Sequence, residues 1–411
     1  MSKDVKNVPA LRFKGYSDAW EKRKLGETNS YFTDGNYGES YPKESELSDK
    51  ENGVPFLRGS NLRNGELIED NANYITKEKH AELTSGHLVE DDIVLAVRGS
   101  LGALGYVKEE NIDWNINSQL AVIRTDKSEL SGKFLAQFLL SWRGQKELLS
   151  RNTGTALKQL PIKQLKDVPV PIVNLDEQKE ISALFTSIDN LIAATQRRID
   201  DLEQAKRALL QRLFDQSWRF KGYSDPWEKR KLREVSDVRD GTHASPKYYS
   251  QGYPLVTSKN LTSAGLDFSN ISLISELDYK NINKRSRVDK GDILFGMIGT
   301  IGTPVMVHES NFAIKNVALI KEREAVLNSF LVQLLKSPAF INYIRNENVG
   351  GTQKFLSLNT IRNFRFSFPT SKEQAMVSRF LEKIDSLIAA TQSRLSSLEL
   401  LKKALLQDLF I

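Results

Sequence analysis

The chain has 411 residues, 58 Lys plus Arg against 52 Asp plus Glu, no cysteine and 40% apolar side chains. Its length exceeds one ordinary domain, its apolar content excludes wholesale disorder, and its lack of cysteine excludes disulfides, thiolate metal sites and cysteine nucleophiles. With no long apolar run and no signal-type N-terminus, this composition predicts a cytoplasmic protein; a net charge of +6 points only weakly to an anionic partner.

In chain order, residues 1–27 form an N-terminal segment whose stretch RFKGYSDAWEKRKLGE (12–27) returns as RFKGYSDPWEKRKLRE (219–234), with fourteen of sixteen positions identical. Residues 28–175 predict a mixed α/β domain. Val54–Leu57 and Asp92–Val97 have the composition of strands bounded by turn residues, and Phe134–Ser150 carries helical spacing. Residues 176–217 predict a long central helix, since Glu177–Phe214 contains neither Pro nor Gly. Residues 218–371 predict a second α/β domain, with strands at Tyr253–Thr257 and Asp292–Ile298 and a helix at Phe330–Arg345. Residues 372–411 predict a second long helix, which matches the first at 21 of 38 positions when Glu373–Phe410 is set against Glu177–Phe214.

The two helices share one heptad seam. In the first copy it takes Phe185, Ile188, Ile192, Thr195, Ile199, Leu202, Lys206, Leu209 and Leu213. In the second it takes Leu381, Ile384, Ile388, Thr391, Leu395, Leu398, Lys402, Leu405 and Leu409, so the Thr and Lys interruptions fall at the same places. A helix of 38 residues is roughly 55 Å long, more than one small core spans, so the two predict an antiparallel coiled coil. The expected architecture is therefore two mixed α/β heads separated by two long helices, with a pseudo-two-fold internal repeat.

Near-identical parts of one chain suit two copies of one partner, whereas divergent parts suit different ligands. Two unlike readers on a spacer match a bipartite site on DNA. Charge supports this unevenly, at −4 for residues 28–167 and +4 for residues 235–363. Side chains able to pair with base edges are Arg58, Ser60, Asn61, Arg98, Asn152, Thr155, Lys158 and Gln159 in the first head. In the second they are His243, Lys247, Tyr248, Lys259, Asn260, Lys315, Thr352, Gln353 and Lys354. No phosphate loop, zinc-binding helix, nucleophile elbow or Asn-Pro-Pro-aromatic motif occurs, which favours a binding protein over an enzyme. The four histidines lack ligand spacing, His80 and His87 are expected at the surface, and no metal site is expected. The competing expectation is a non-enzymatic coiled-coil scaffold whose heads bind proteins.

The chain resembles the DNA-specificity (S, HsdS) subunits of type I restriction–modification systems along essentially its whole length. The resemblance rests on the alternating heads and helices, on VPFLRGSNL (Val54–Leu62), and on DIVLAVRGSLG and DILFGMIGTIG. It rests also on the endings VPVPIVNLDEQKEI (Val168–Ile181) and FRFSFPTSKEQAMV (Phe364–Val377). The resemblance implies target-recognition domains that each read one half-site of double-stranded DNA, and two docked adenine-methyltransferase (modification) subunits. Restriction subunits then join through that complex. It further implies no cofactor in this chain, with S-adenosylmethionine in the modification subunits and ATP and Mg2+ in the restriction subunits. Candidate docking residues are Trp20, Lys22, Arg23, Trp227, Lys229 and Arg230 in the repeated blocks, with Arg198 and Arg394 on the helices.

Overall fold

The computed structural model describes residues 7–154, 157–347 and 355–411. They fall into two compact units, Met1–Ala194 with Leu395–Ile411, and Thr195–Arg394. The first long helix, Leu175–Phe214, gives its first part to the former unit and its remainder to the latter; the second, Ser371–Asp408, does the reverse.

In the first unit, the described residues build a six-stranded sheet in the order Tyr31–Asp34, Leu120–Arg124, Ile93–Ala96, Leu104–Tyr106, Gly65–Leu67 and Leu62–Arg63. A four-stranded sheet follows the order Asn115–Ile116, Val54–Leu57, Asn73–Ile75 and Leu47–Ser48. Ile93–Ala96 is buried on both faces, which explains its unbroken apolar run. Asp92 stands at its start and receives a two-pronged hydrogen bond from Arg124, at 2.7 and 2.8 Å, so the Asp of the DIVL stretch serves the fold.

The second unit repeats the plan. Among its described residues, one sheet orders Asp237–Asp240, Val317–Lys321, Ile293–Gly296 and Gly302–Met306, and another orders Ser272–Ile274, Tyr253–Val256 and Ala313–Ile314. Asp292, the counterpart of Asp92, accepts from Lys321 at 2.6 Å. Gly35 and Gly241 occupy matching places, where a Cβ would stand 1.8 Å from the Asn117 carbonyl oxygen and 2.4 Å from that of Ile314. Backbone passes too close there for any other residue.

The expected helices Phe134–Ser150 and Phe330–Arg345 are each broken in two, as Gly132–Leu140 and Trp142–Ser150, and as Asn328–Leu335 and Pro338–Glu347. A serine makes each break. Ser141 Oγ donates to the Phe138 carbonyl at 2.6 Å and accepts from the Gly144 N–H at 3.1 Å, capping the second helix. Ser337 stands at the equivalent corner, followed by Pro338, which cannot continue a helical ladder.

The repeated blocks meet at the start of each long helix. Glu21–Lys24 pairs antiparallel with Pro169–Ile172, and Glu228–Lys231 pairs with Arg365–Phe368. Arg12 donates two hydrogen bonds, at 2.7 and 2.8 Å, to the Glu177 carboxylate, which is 1% exposed. Arg219 does the same to Glu373, at 3.0 and 2.7 Å. Gln178, fully buried, accepts from the Ser131 N–H at 2.8 Å and donates to the Glu129 and Val173 carbonyls, both at 2.9 Å. Gln374 accepts from the Leu327 N–H at 2.8 Å and donates to Ala325 at 3.0 Å and Pro369 at 2.8 Å. The Glu-Gln pair therefore clamps head, N-terminal repeat and helix together.

Within each unit the helix segments run antiparallel. In the first, Lys402 pairs with Asp189 at 2.6 Å while Phe185 stacks on Phe410. In the second, Lys206 pairs with Asp385, and Leu210 and Leu213 pack in one core with Val377 and Leu381. The lysines that interrupt the apolar seam are thus neutralised by an aspartate of the facing helix. Replacing Glu177 by Ala takes the carboxylate from the half-buried Arg12 guanidinium and is expected to destabilise the first unit by about 3 kcal/mol. Hydrogen exchange should then accelerate at residues 12–25 and 169–185, with the second unit unchanged.

Candidate nucleic-acid interface

In the first unit, three loops and a short hairpin converge at the strand ends. The Arg58–Asn61 turn touches the 117–119 turn, where the Gly59 N–H donates to Gln119 Oε1 at 3.2 Å. Arg98 donates from Nη1 to the Ser118 carbonyl at 3.2 Å and faces Gln159 across an antiparallel bridge. Thr153 and Gln159 exchange backbone hydrogen bonds at 2.8 and 3.0 Å, which closes the hairpin carrying the exposed Lys158. Ser60, Arg98, Lys158 and Gln159 are exposed together on this rim. Asn152 turns its amide back to the Leu149 carbonyl at a helix end, and Thr155 lies outside the described residues.

Two expected base readers are structural instead. Asn61 is 0% exposed: its Nδ2 donates to the Ile68 and Asp70 carbonyls at 2.9 and 3.2 Å, and its Oδ1 accepts from the Arg58 N–H at 3.1 Å. Asn260 repeats this, donating to Asp267 at 3.0 Å and accepting from the Thr257 N–H at 2.9 Å. A buried amide with every pairing made inward has nothing left for a base. Arg58 is half-buried and donates to the Asn71 carbonyl at 3.1 Å. Sequence reading missed Ser100, which lies against Gly59, and Gln119, whose side chain locks two loops together. Ser100 sits inside the RGSLG stretch that answers IGTIG (298–302) in the second copy and was legible there; nothing in the residues around Gln119 marks it.

In the second unit the corresponding rim carries His243, whose ring nitrogens lie 2.8 Å from Asn316 Oδ1 and 2.9 Å from Asp240 Oδ2. Lys315 donates to Ser245 Oγ at 2.7 Å, Lys247 lies over the Tyr249 ring, and Tyr248 and Lys259 are exposed. Thr352, Gln353 and Lys354 lie outside the described residues. Where the first head pairs Arg98 with Gln159, the second pairs Ile298 with Phe355, both exposed. One rim is polar where the other is apolar.

The repeated blocks divide by face. Trp20 and Trp227 are buried, against expectation as docking residues: Trp20 packs on Phe134 and Phe410, and Trp227 on Phe330. Each indole lies one residue ahead of its strand and is turned into the core. Lys22, Lys229 and Arg230 are exposed, as are Arg198 and Arg394, while Arg23 pairs with Glu129.

Two unlike rims of exposed hydrogen-bonding and apolar groups, each held on a rigid sheet, define a recognition protein. A family profile described as the type I restriction modification DNA specificity domain matches residues 17–204 and 224–400. The chain belongs to that family, and it is a DNA-specificity chain rather than an enzyme. It is 23% identical over 372 residues to the type I restriction enzyme MjaVIII specificity subunit of Methanocaldococcus jannaschii, covering 86% of this chain and 84% of that one. It is 22% identical over 372 residues to the EcoKI specificity subunit of Escherichia coli K12, covering 84% and 79%. Its fold matches the crystal structure of a type I S subunit from M. genitalium with a TM-score of 0.63 and 16% identity, covering 98% and 99% of the two chains. No helix among the described residues is long and apolar enough to cross a membrane.

Two tests separate scaffold from rim. Asn61→Ala is expected to cost about 1–3 kcal/mol of stability through its unpaired backbone groups, whereas Arg98→Ala leaves thermal stability unchanged. The hydrogen bond with Asn316 and then the pairing with Asp240 raise the pKa of His243 above its ordinary 6.5. Protonated His243 therefore adds stability that is fully present below pH 6.5 and is lost as pH rises through the higher folded midpoint. An NMR titration should show that midpoint falling in Asn316→Ala.

Proposed function

We propose that the chain reads a bipartite, asymmetric DNA site, with residues 28–175 taking one half-site and residues 218–371 the other. The observation that carries this reading is the exchange of Arg98 and Gln159 for Ile298 and Phe355 at equivalent places in otherwise matching frames. An arginine and an amide suit guanine and adenine edges, whereas exposed apolar groups suit the thymine methyl. Residues 1–27, 176–217 and 372–411 form the repeated scaffold, and the number of helical residues between the heads sets the gap in the target.

The exposed Lys22, Lys229, Arg230, Arg198 and Arg394, with the half-exposed Leu191 and Leu387, supply matched surfaces for two modification subunits. Adenosylmethionine chemistry then resides in those partners, and ATP and Mg2+ in restriction subunits that join through the complex, in the cytoplasm. What supports this is the repetition of the blocks and the family's place in restriction–modification.

Mapping of methylated adenines in cells carrying the full complex tests the reading. Arg98→Ala is expected to weaken discrimination at one base by about 1–3 kcal/mol, roughly fivefold to 150-fold, in one half-site only. A four-residue helical insertion in both long helices lengthens each by about 6 Å and should widen the gap while both half-sites persist. If both half-sites changed with Arg98→Ala, one head per half-site would be wrong.

A further inference from the structure

His80, His87 and Asp113 meet in the first unit, with one candidate ligand atom from each lying within 4.8 Å of the others. His80 belongs to the helix Lys77–Glu82, His87 to the loop after it, and Asp113 to the turn that precedes the strand Asn115–Ile116. The expectation that His80 would lie at the surface fails, since it is only 8% exposed. The two imidazoles lie with ring centroids 4.4 Å apart.

Each ring turns a nitrogen toward the same carboxylate oxygen. His87 Nε2 lies 2.7 Å from the Leu83 carbonyl oxygen, which only accepts, so that nitrogen carries the hydrogen. Its Nδ1 stands 3.5 Å from Asp113 Oδ1. His80 Nε2 stands 3.1 Å from the same oxygen, yet neither nitrogen of this buried ring has a hydrogen-bond partner. Ligands about 2.0–2.1 Å from one tetrahedral zinc stand roughly 3.3 Å apart, close to both of these separations. The Leu83 carbonyl fills the outer role usual for a ligating histidine, fixing tautomer and ring orientation.

We propose that His80 Nε2, His87 Nδ1 and Asp113 Oδ1 bind a zinc ion, with solvent completing the tetrahedron on the side of the exposed Asp113. Two imidazoles and one carboxylate favour zinc over Mg2+ or Ca2+, which prefer all-oxygen shells. The ion joins the Lys77–Glu82 helix to the start of the strand that leads into the Asn117–Gln119 turn, and so orders one loop of the candidate DNA rim. Asp113 has φ +65°, a conformation that asparagine also tolerates.

The test uses the untagged full chain, stripped with chelator and titrated with zinc alone and with Mg2+ alone, by calorimetry and by thermal melting. One equivalent of zinc is expected to bind and raise Tm by several degrees, with no response to Mg2+. Asp113→Asn, at a residue 71% exposed, and His87→Gln should each weaken zinc binding at least roughly tenfold while melting like the stripped wild type. His243→Gln should bind as the wild type does. The proposal is overturned if the wild type takes up no stoichiometric zinc, if Asp113→Asn binds with unchanged affinity, or if His243→Gln abolishes uptake. A Tm that does not move when zinc is added would overturn it too.

Discussion

A carboxylate buried at the first turn of a long helix has to be answered, and much of each unit is organised around that answer. Glu177 and Glu373 are held by the guanidinium forks of Arg12 and Arg219, and those arginines come from the repeated N-terminal blocks. Removing either partner would strand a charge away from water, at a cost far above that of an exposed ion pair. The neighbouring glutamine then secures the head. These two side chains explain why Glu-Gln recurs at the start of both helices while so much around it has diverged.

The same logic governs the seam. Lysine in an apolar stripe is unfavourable unless its ammonium is met, and here Lys402 meets Asp189 and Lys206 meets Asp385. The aspartates are related by the same internal repeat as the lysines. A shift of one turn in either unit would part each lysine from its aspartate. Polar pairs of this kind give up some burial energy and in return allow only one alignment.

Much of the architecture was legible in the sequence because repetition and period survive without coordinates. The duplicated blocks, the two long helices and the strands at Val54–Leu57 and Tyr253–Val256 all announce themselves by identity or alternation. Side-chain direction does not. Asn61 and Asn260 look like loop readers until their amides are seen facing inward, and Trp20 looks like a docking residue until it is found against Phe410. The break at Ser141 was hidden because helical periodicity continues across a single capping residue, whereas Pro338 marks the one at Ser337 in the sequence itself. His80, His87 and Asp113 come together through sheet topology, so no spacing rule applied to the chain would have joined them.

The clamp at each helix start has a further consequence, for inheritance. Gln178 holds its head through the Ser131 N–H and the Glu129 carbonyl, and Gln374 through the Leu327 N–H and the Ala325 carbonyl. Every one of those contacts is to main chain, which all sequences share. A head whose rim side chains are quite different can be seated in the same socket provided its backbone follows the same path and it keeps a ring such as Phe134 or Phe330 against the socket tryptophan. Recombination within the repeated blocks can therefore hand this protein a new head without rebuilding the joint, and mutation is free to rework the rim while the socket stays fixed.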